Sequence, residues 1–430
     1  MALLLKGARL LDPQSKIDQS ADIIIKGGRI EKIGKRLKID KGDTVDIKGK
    51  IVVPGFVDMH VHLRDPGYEY KETIESGTRA AVHGGFTTVC AMANTDPVID
   101  TGAAVESVLG RAEEEAHCLL FQYGAISRGQ KGKHLAEMAD MLAAGAIAFS
   151  DDGVGVQNDK LMRTAMEYAS MLDVPLVLHC EDESLIGGAC INEGIASTRL
   201  GMKGSPALGE SLAVARDIAL ASLTGCQIHI CHISTKETVE VIRQAKAEGV
   251  DVTCEVTPHH LLLTEDAIDS TYDTLLKMNP PLRTEDDRLA LIEALSDGTI
   301  DCIATDHAPH APHEKDREFD LAAYGTVGLE TAVPLLLDRL VASGEISLET
   351  LIERLAHGPR EVLRLDHIGI EEGSIADLTV LDLKEKVTFD LNYFQGRSKN
   401  SAFLDQSAKG CATDVLIGGY WALRDKEVTW

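Results

Sequence analysis

The sequence predicts an α/β protein built on a (β/α)8 barrel of the TIM type, with a small composite β-sandwich domain assembled from both chain ends. Three observations predict it. From position 56 onward, short apolar runs rich in β-branched residues alternate with longer stretches of amphipathic helical spacing. Eight such runs occur, at 55–63, 87–92, 118–126, 146–151, 174–179, 227–233, 252–256 and 300–305, the number that closes a parallel barrel. Histidines and aspartates gather at the ends of several of them, where such barrels carry their chemistry. A doubly wound open sheet shares this alternation and is the competing fold, because periodicity does not establish closure.

The elements follow in order. Residues 23–25 and 29–33 flank Gly27-Gly28 and read as a β-hairpin. The run from Ile51 to Val57 is continuously apolar and leads into the first barrel strand. Segments 135–144, 159–172, 211–224, 238–248 and 284–296 space their apolar residues as helices do. Residues 376–382 and 415–421 return to sheet. Neither end can build a core alone, so the sequence predicts a β-domain made of 1–55 and 366–430 around a barrel at 56–365.

Composition narrows the function. The chain has 430 residues, 44% of them apolar, and 43 basic against 68 acidic side chains, a net charge of −25. Nucleic acid and anionic membrane repel such a surface, so neither is the expected partner. A small anionic substrate must then be drawn in by local positive charge or metal. The nine cysteines form no C-x-x-C pair and sit in apolar runs, which reads as reduced core residues in a cytoplasmic protein. Leu3-Leu4-Leu5 is too short for a signal segment or membrane span.

The densest chemistry lies in Asp58-Met59-His60-Val61-His62-Leu63-Arg64. On a strand, residues two apart share a face, so His60 and His62 can grip one metal ion, flanked by Asp58 and Arg64. His179, His232 and Asp306 end three further runs. Four imidazoles and a carboxylate suit zinc with an open position for water. Two metals need a bridging anion, and the run at 146–151 carries no lysine for that purpose; Asp151 or Asp152 must serve, and alternation does not choose between them.

His60-Val61-His62-Leu63-Arg64-Asp65-Pro66-Gly67, Gly85-Phe86-Thr87-Thr88, Ser150-Asp151-Asp152-Gly153, Thr257-Pro258-His259-His260-Leu261, Asn279-Pro280-Pro281-Leu282-Arg283 and Ala304-Thr305-Asp306-His307-Ala308-Pro309-His310 resemble dihydroorotase of the amidohydrolase superfamily, in its longer, type I bacterial form. The resemblance covers nearly the whole chain. It implies reversible, zinc-dependent cyclisation of N-carbamoyl-L-aspartate to L-dihydroorotate in de novo pyrimidine synthesis. It further implies one or two zinc ions, binuclear favoured, with His60 and His62 on the first, His179 and His232 on the second, and Asp152 bridging. Asp306 would touch the first zinc and act as acid and base. Arg64, Asn94 and His310 would hold the substrate carboxylate, and Asn279 with the backbone of Tyr324-Gly325 the ring. The sequence departs from the family pattern at Met92-Ala93-Asn94-Thr95, where Met-Pro-Asn-Thr is usual, at Tyr324-Gly325 for Phe-Gly, and at Lys277-Met278 for Arg-Val.

Two rival functions compete. Other cyclic amidases, such as dihydropyrimidinase, hydantoinase or allantoinase, act on rings without a carboxylate, which leaves Arg64 little to bind. A catalytically silent partner of aspartate transcarbamoylase would tend to lose ligands, and here every position is filled. Association with that enzyme alongside activity, and a homodimer, are the expected assemblies. His83, His117, His134, His357 and His367 read as surface or helix residues, and His229 as pointing away from the metals. His259 and His260 are open between packing and support of the site. The polar stretch 311–323 reads as a mobile loop over the substrate.

Overall fold

The protein is described here by a computed structural model covering residues 2–429. Its strands close into a parallel ring. Phe56–Val61 pairs with Phe86–Ala91, which pairs with Leu119–Gln122. Leu176–Leu178, Ile228–Ile230, Val252–Val256 and Cys302–Ile303 form a second parallel run. Three bridges join them: Phe149 pairs with Gly124 on one side and Leu176 on the other, and His307 pairs with Val61. Closure excludes the open sheet.

The fourth strand is shorter than the sequence reading, since the expected run at 146–151 pairs as strand only at Phe149, while Ile147, Ala148 and Ser150 add backbone hydrogen bonds to Gln122 and Gly124. Asp151 explains why. Its carboxylate accepts from the Ile126 and Ser127 amides at 2.9 and 3.0 Å, so a side chain supplies bonds that a longer strand would make. The remaining strands are shorter than their apolar runs because their ends turn into the loops that bear the site.

Helices cover the ring as expected, with Asp159–Leu172 matching its predicted span and Leu208–Thr224, Lys236–Ala247 and Glu285–Asp297 shifted by a few residues. Side-chain caps fix several starts. Thr284 accepts from the Asp287 amide while Asp287 accepts from the Thr284 amide, satisfying two otherwise orphaned donors. Met59, Cys90, Met92, Tyr123, Val177 and Cys302 fill the barrel. The Tyr123 hydroxyl, buried among them, donates to the Met59 carbonyl at 2.9 Å.

Both chain ends share one nine-stranded sheet whose apolar residues make the sandwich core, including Leu5, Leu10, Ile23, Ile25, Val52, Leu378, Val380 and Leu416. Ile51–Pro54 joins the ends: it lies parallel to Ala2–Asp12 and antiparallel to Leu378–Thr388. The Gly27-Gly28 hairpin is present, and both glycines have positive φ, 59° and 80°, as a two-residue turn of that hand requires.

His357, expected as a surface or helix residue, ends the helix Glu353–His357. It is buried, with Nε2 donating to Asp12 Oδ1 at 2.8 Å, and fastens the sandwich to the barrel. The segment 390–406 makes a second tie, reaching the barrel mouth where Asn400 Nδ2 donates to the Ala308 carbonyl at 3.0 Å. All nine cysteines are free and buried. Among the described residues, no helix is long and apolar enough to cross a membrane.

Candidate active site

The pleat of the first strand places His60 and His62 on one face, and neighbouring strands fix their rings. His60 Nδ1 meets Glu255 Oε1 at 2.5 Å, and His62 Nδ1 meets Asn94 Oδ1 at 2.9 Å. Each contact leaves Nε2 facing the barrel mouth. Asp58 ties this strand to the eighth, accepting from the Thr305 amide at 3.1 Å and the Thr305 hydroxyl at 2.6 Å. Burial, only partly offset by those bonds, pushes the Asp58 carboxyl up to about 6.

The predicted ligands converge. His62 Nε2 lies 3.0 Å from Asp306 Oδ1, and His60 Nε2 3.6 Å from the same oxygen. Asp152 Oδ1 stands 3.5 Å from His60 Nε2 and 3.6 Å from both His179 Nδ1 and His232 Nε2. Its second oxygen is 3.5 Å from His62 Nε2. Asp152 therefore occupies the shared position, while Asp151 holds backbone. His60 Nε2 and Asp152 Oδ1 are buried without a hydrogen-bond partner, and His179 Nδ1 faces His232 Nε2 at 3.0 Å. Such crowded, unpaired donor atoms fit a divalent cation that takes imidazole and carboxylate. Two three-residue groups could each hold one: His60 with His62 and Asp306, and His179 with His232 and Asp152. Cys231 also lies near His60 and Asp152, but burial pushes its thiol up, away from the thiolate that binds metal.

Electrostatics keeps both aspartates ionised. Burial raises Asp306, yet the His62 hydrogen bond and the charges of His60 and His62 outweigh it and hold the group well below the ordinary carboxylate range. Asp152 behaves alike: burial opposes, and His60, His179 and His232 prevail. Arg64, His232 and Asp306 all adopt left-handed backbone, with φ of 61°, 33° and 47°. Non-glycine residues there carry strain, which is typical of positions held for function.

Above the cluster opens a cavity of about 340 Å³. His62, Arg64, Asn94, Asp152, His179, His232, Asn279, Asp306, His310, Tyr324 and Gly325 line it, so of the residues singled out by sequence only His60 lies beneath the floor. Arg64 Nε donates to the Pro309 carbonyl at 3.2 Å. Arg64 Nη2 is 3.4 Å from His310 Nε2, but that nitrogen donates to the Tyr324 carbonyl at 2.7 Å, leaving the far edge of the guanidinium for a ligand. Burial, then the charges of Arg64, Lys71 and Lys315, pull His310 down to about 2, so it is neutral. The stretch 311–323 contains the helix Pro312–Lys315, with Lys315 buried and residues 316–318 exposed.

Sequence reading missed Glu255. Its second oxygen meets His229 Nε2 at 3.3 Å, and His229 Nδ1 meets Thr253 Oγ1 at 2.8 Å, so a polar chain runs under His60 through the barrel. The signal was available: a carboxylate inside the apolar run Val252–Val256 has no bland explanation. Glu181, whose Oε2 is 3.5 Å from His179 Nε2 and 3.4 Å from Asn279 Nδ2, was also passed over. His260 resolves toward packing, since its Nε2 donates to the Pro280 carbonyl at 3.0 Å and steadies the turn after Asn279.

A closed parallel barrel with a two-ended β-domain and a His/Asp cluster at its mouth defines a cyclic-amide hydrolase of the amidohydrolase type. Among solved structures it resembles the L-hydantoinase (dihydropyrimidinase) of Arthrobacter aurescens, with a TM-score of 0.90 and 27% identity over 100% of this chain and 97% of that one. The D-hydantoinase (dihydropyrimidinase) of a Thermus species is similar at a TM-score of 0.83 and 25% identity, covering 99% and 96%. Sequence relatives narrow the class. Residues 49–238 match a family described as Dihydro-orotase-like. The dihydroorotase of Acetivibrio thermocellus is 46% identical over 424 residues, 99% of each chain, and that of Geobacter metallireducens 48% identical over 420, covering 97% and 99%. The chain belongs to the dihydroorotase family.

Proposed function

We propose that the chain is a zinc-dependent dihydroorotase, interconverting N-carbamoyl-L-aspartate and L-dihydroorotate in cytoplasmic pyrimidine synthesis. One observation carries the reading: Arg64 stands in the same cavity as the two His/Asp groups. Hydantoin and dihydrouracil have no carboxylate for a guanidinium to pair with, whereas dihydroorotate does.

His60, His62 and Asp306 would hold one zinc, His179 and His232 the other, with Asp152 between them. Bound zinc supplies Lewis acidity toward the amide carbonyl and toward water. Asp306, ionised and 3.0 Å from His62, takes up the proton in hydrolysis and delivers it to the departing ring nitrogen; in ring closure it runs the reverse course. Arg64 pairs with the substrate carboxylate, and Asn94 and His310 border the same place. Asn279 and the Tyr324-Gly325 backbone, in the same cavity lining, would contact the ring. A homodimer and association with aspartate transcarbamoylase complete the reading, testable by sizing and co-purification.

The direct test is ring closure of N-carbamoyl-L-aspartate by the zinc-loaded protein, beside Asp306→Asn. Turnover in the parent and a loss of about 10²–10⁴-fold in the variant is expected. Turnover of hydantoin or dihydrouracil in preference to dihydroorotate would reject the assignment.

A further inference from the structure

Four consecutive carbonyls in the wall of the cavity are each taken by a side-chain donor. Ala322 accepts from Lys277 Nζ at 2.7 Å, and Ala323 from Lys315 Nζ at 2.8 Å. Tyr324 accepts from His310 Nε2 at 2.7 Å. Gly325 accepts from Lys315 Nζ at 3.0 Å and Asn400 Nδ2 at 3.3 Å. Lys277 Nζ also reaches the Asp320 carbonyl at 3.0 Å and lies 4.1 Å above the Tyr324 ring. The backbone is pinned as well, since the Ala323 amide donates to the Glu314 carbonyl at 3.0 Å and the Gly325 amide to the Lys277 carbonyl at 2.8 Å.

Ala323, Tyr324 and Gly325 line the same cavity as Arg64, and His310 stands between Arg64 and the Tyr324 carbonyl. The Ala322, Ala323 and Gly325 oxygens are committed to the two buried ammonium groups, and the Tyr324 oxygen to His310 in the cavity lining, so each is occupied by a donor rather than left free toward an anionic ligand. The two ammonium groups are themselves unusual. Both lysines are buried, and the hydrogen bonds of their Nζ atoms go to carbonyl oxygens rather than carboxylates. Buried cations whose hydrogen bonds go only to carbonyls keep much of their positive potential, offset at a distance by Asp320 for Lys277 and Asp273 for Lys315. Burial, then the neighbouring Lys277 charge, pulls Lys315 down to about 7, so an anion bound nearby gains by restoring its proton.

We propose that Lys277 and Lys315 are positioning residues that hold the 320–325 strap with its carbonyls averted and place positive charge behind it, favouring anionic over neutral ring ligands. The inference rests on the cyclic-amide reading above. It goes beyond it in assigning specificity to two side chains outside the cavity lining.

The experiment has two independent arms on Lys277→Met, Lys315→Met, Lys315→Gln and Lys277→Arg. Hydrogen exchange at the Ala323 and Gly325 amides reads the strap without any turnover. Exchange should quicken about tenfold in both Met variants and stay at the parent rate in Lys277→Arg. Kinetics with L-dihydroorotate reads the charge: KM should rise roughly tenfold in Lys315→Met and Lys315→Gln, with kcat within about threefold. Inhibition by uracil, which lacks the carboxylate, should not move. Unchanged exchange in both Met variants would overturn the strap, and an equal weakening of uracil would overturn the charge. Should the Met variants not fold, Lys315→Gln decides both points: quickened exchange at Ala323 and Gly325 with a raised KM is expected, and parent-like exchange or KM would overturn the strap or the charge respectively. A parent that turns over no dihydroorotate would instead sink the functional reading, leaving the exchange result to stand alone.

Discussion

Replacing Glu255 by glutamine preserves its size and removes one charge from beneath His60. In the parent, both carboxylate oxygens are engaged: Oε1 with His60 Nδ1 at 2.5 Å and the His232 amide at 3.3 Å, Oε2 with His229 Nε2 at 3.3 Å. Burial opposes the charge, but His60 and His229 hold the carboxyl down at about 2, so Glu255 is ionised at neutral pH. An anion there keeps the proton on His60 Nδ1 and leaves the Nε2 lone pair for metal. A hydrogen bond to a charged group is worth about 1.5–3 kcal/mol, which at ~1.4 kcal/mol per decade is a factor of about 10–100 in zinc affinity. Competition with a coloured chelator measures this directly, with zinc per chain counted after dialysis. The expected result is a ten- to hundredfold weaker site in a variant that still melts cooperatively. Zinc affinity within about twofold of the parent would refute the reasoning, since the carboxylate would then merely fill space.

Other outcomes follow from the same geometry. Arg64→Met should raise KM for L-dihydroorotate by about 10–100-fold, the worth of a charge-assisted pair, while inhibition by uracil stays level in steady-state assays. Stripping metal with a chelator should abolish turnover, and titrating zinc back should restore it with a break at two equivalents per chain by elemental analysis. Asp12→Asn keeps an acceptor but removes the charge that receives from His357 and the Ile370 amide, and should cost about 1–3 kcal/mol in urea unfolding at pH 7. Burial raises Asp12, but bonds from His357 and the Ile370 amide hold it well below the ordinary carboxylate range. Its contribution is therefore full above the unfolded value of about 4 and fades as pH falls below it; a gap between variant and parent that widens on acidification would contradict this.

Much of this architecture was legible in the sequence because two periodicities with little ambiguity set it. Apolar runs separated by helical spacing located the barrel strands, and Phe149 was found even though its ladder shrank to one bridge on each side. Strand lengths were not legible, because side chains such as Asp151 replace backbone bonds and leave no trace in an apolar pattern. The site was readable for a different reason: His60, His62, His179, His232 and Asp306 stand at strand ends, a position that sequence marks. Partners brought from far along the chain were not readable. Glu255 under His60, His357 on Asp12 and Asn400 at the Ala308 carbonyl depend on contacts between residues distant in sequence. The choice between Asp151 and Asp152 likewise awaited geometry, since both have acceptable roles and they exchange them with a one-residue slip.

The sandwich built from both ends has a consequence during synthesis. Ile51–Pro54 emerges early, yet its antiparallel neighbour Leu378–Thr388 is among the last segments made. At about 5–20 residues per second, the ribosome leaves that apolar edge bare for on the order of half a minute. Such an edge is a template for pairing with another nascent chain. The same late segment brings Asn400 to the barrel mouth, so a chain cut short after the barrel would carry the whole His/Asp cluster yet lack a support of the pocket wall. Truncated products of this gene would be sticky and catalytically impaired at once, making them natural clients for chaperones and proteases.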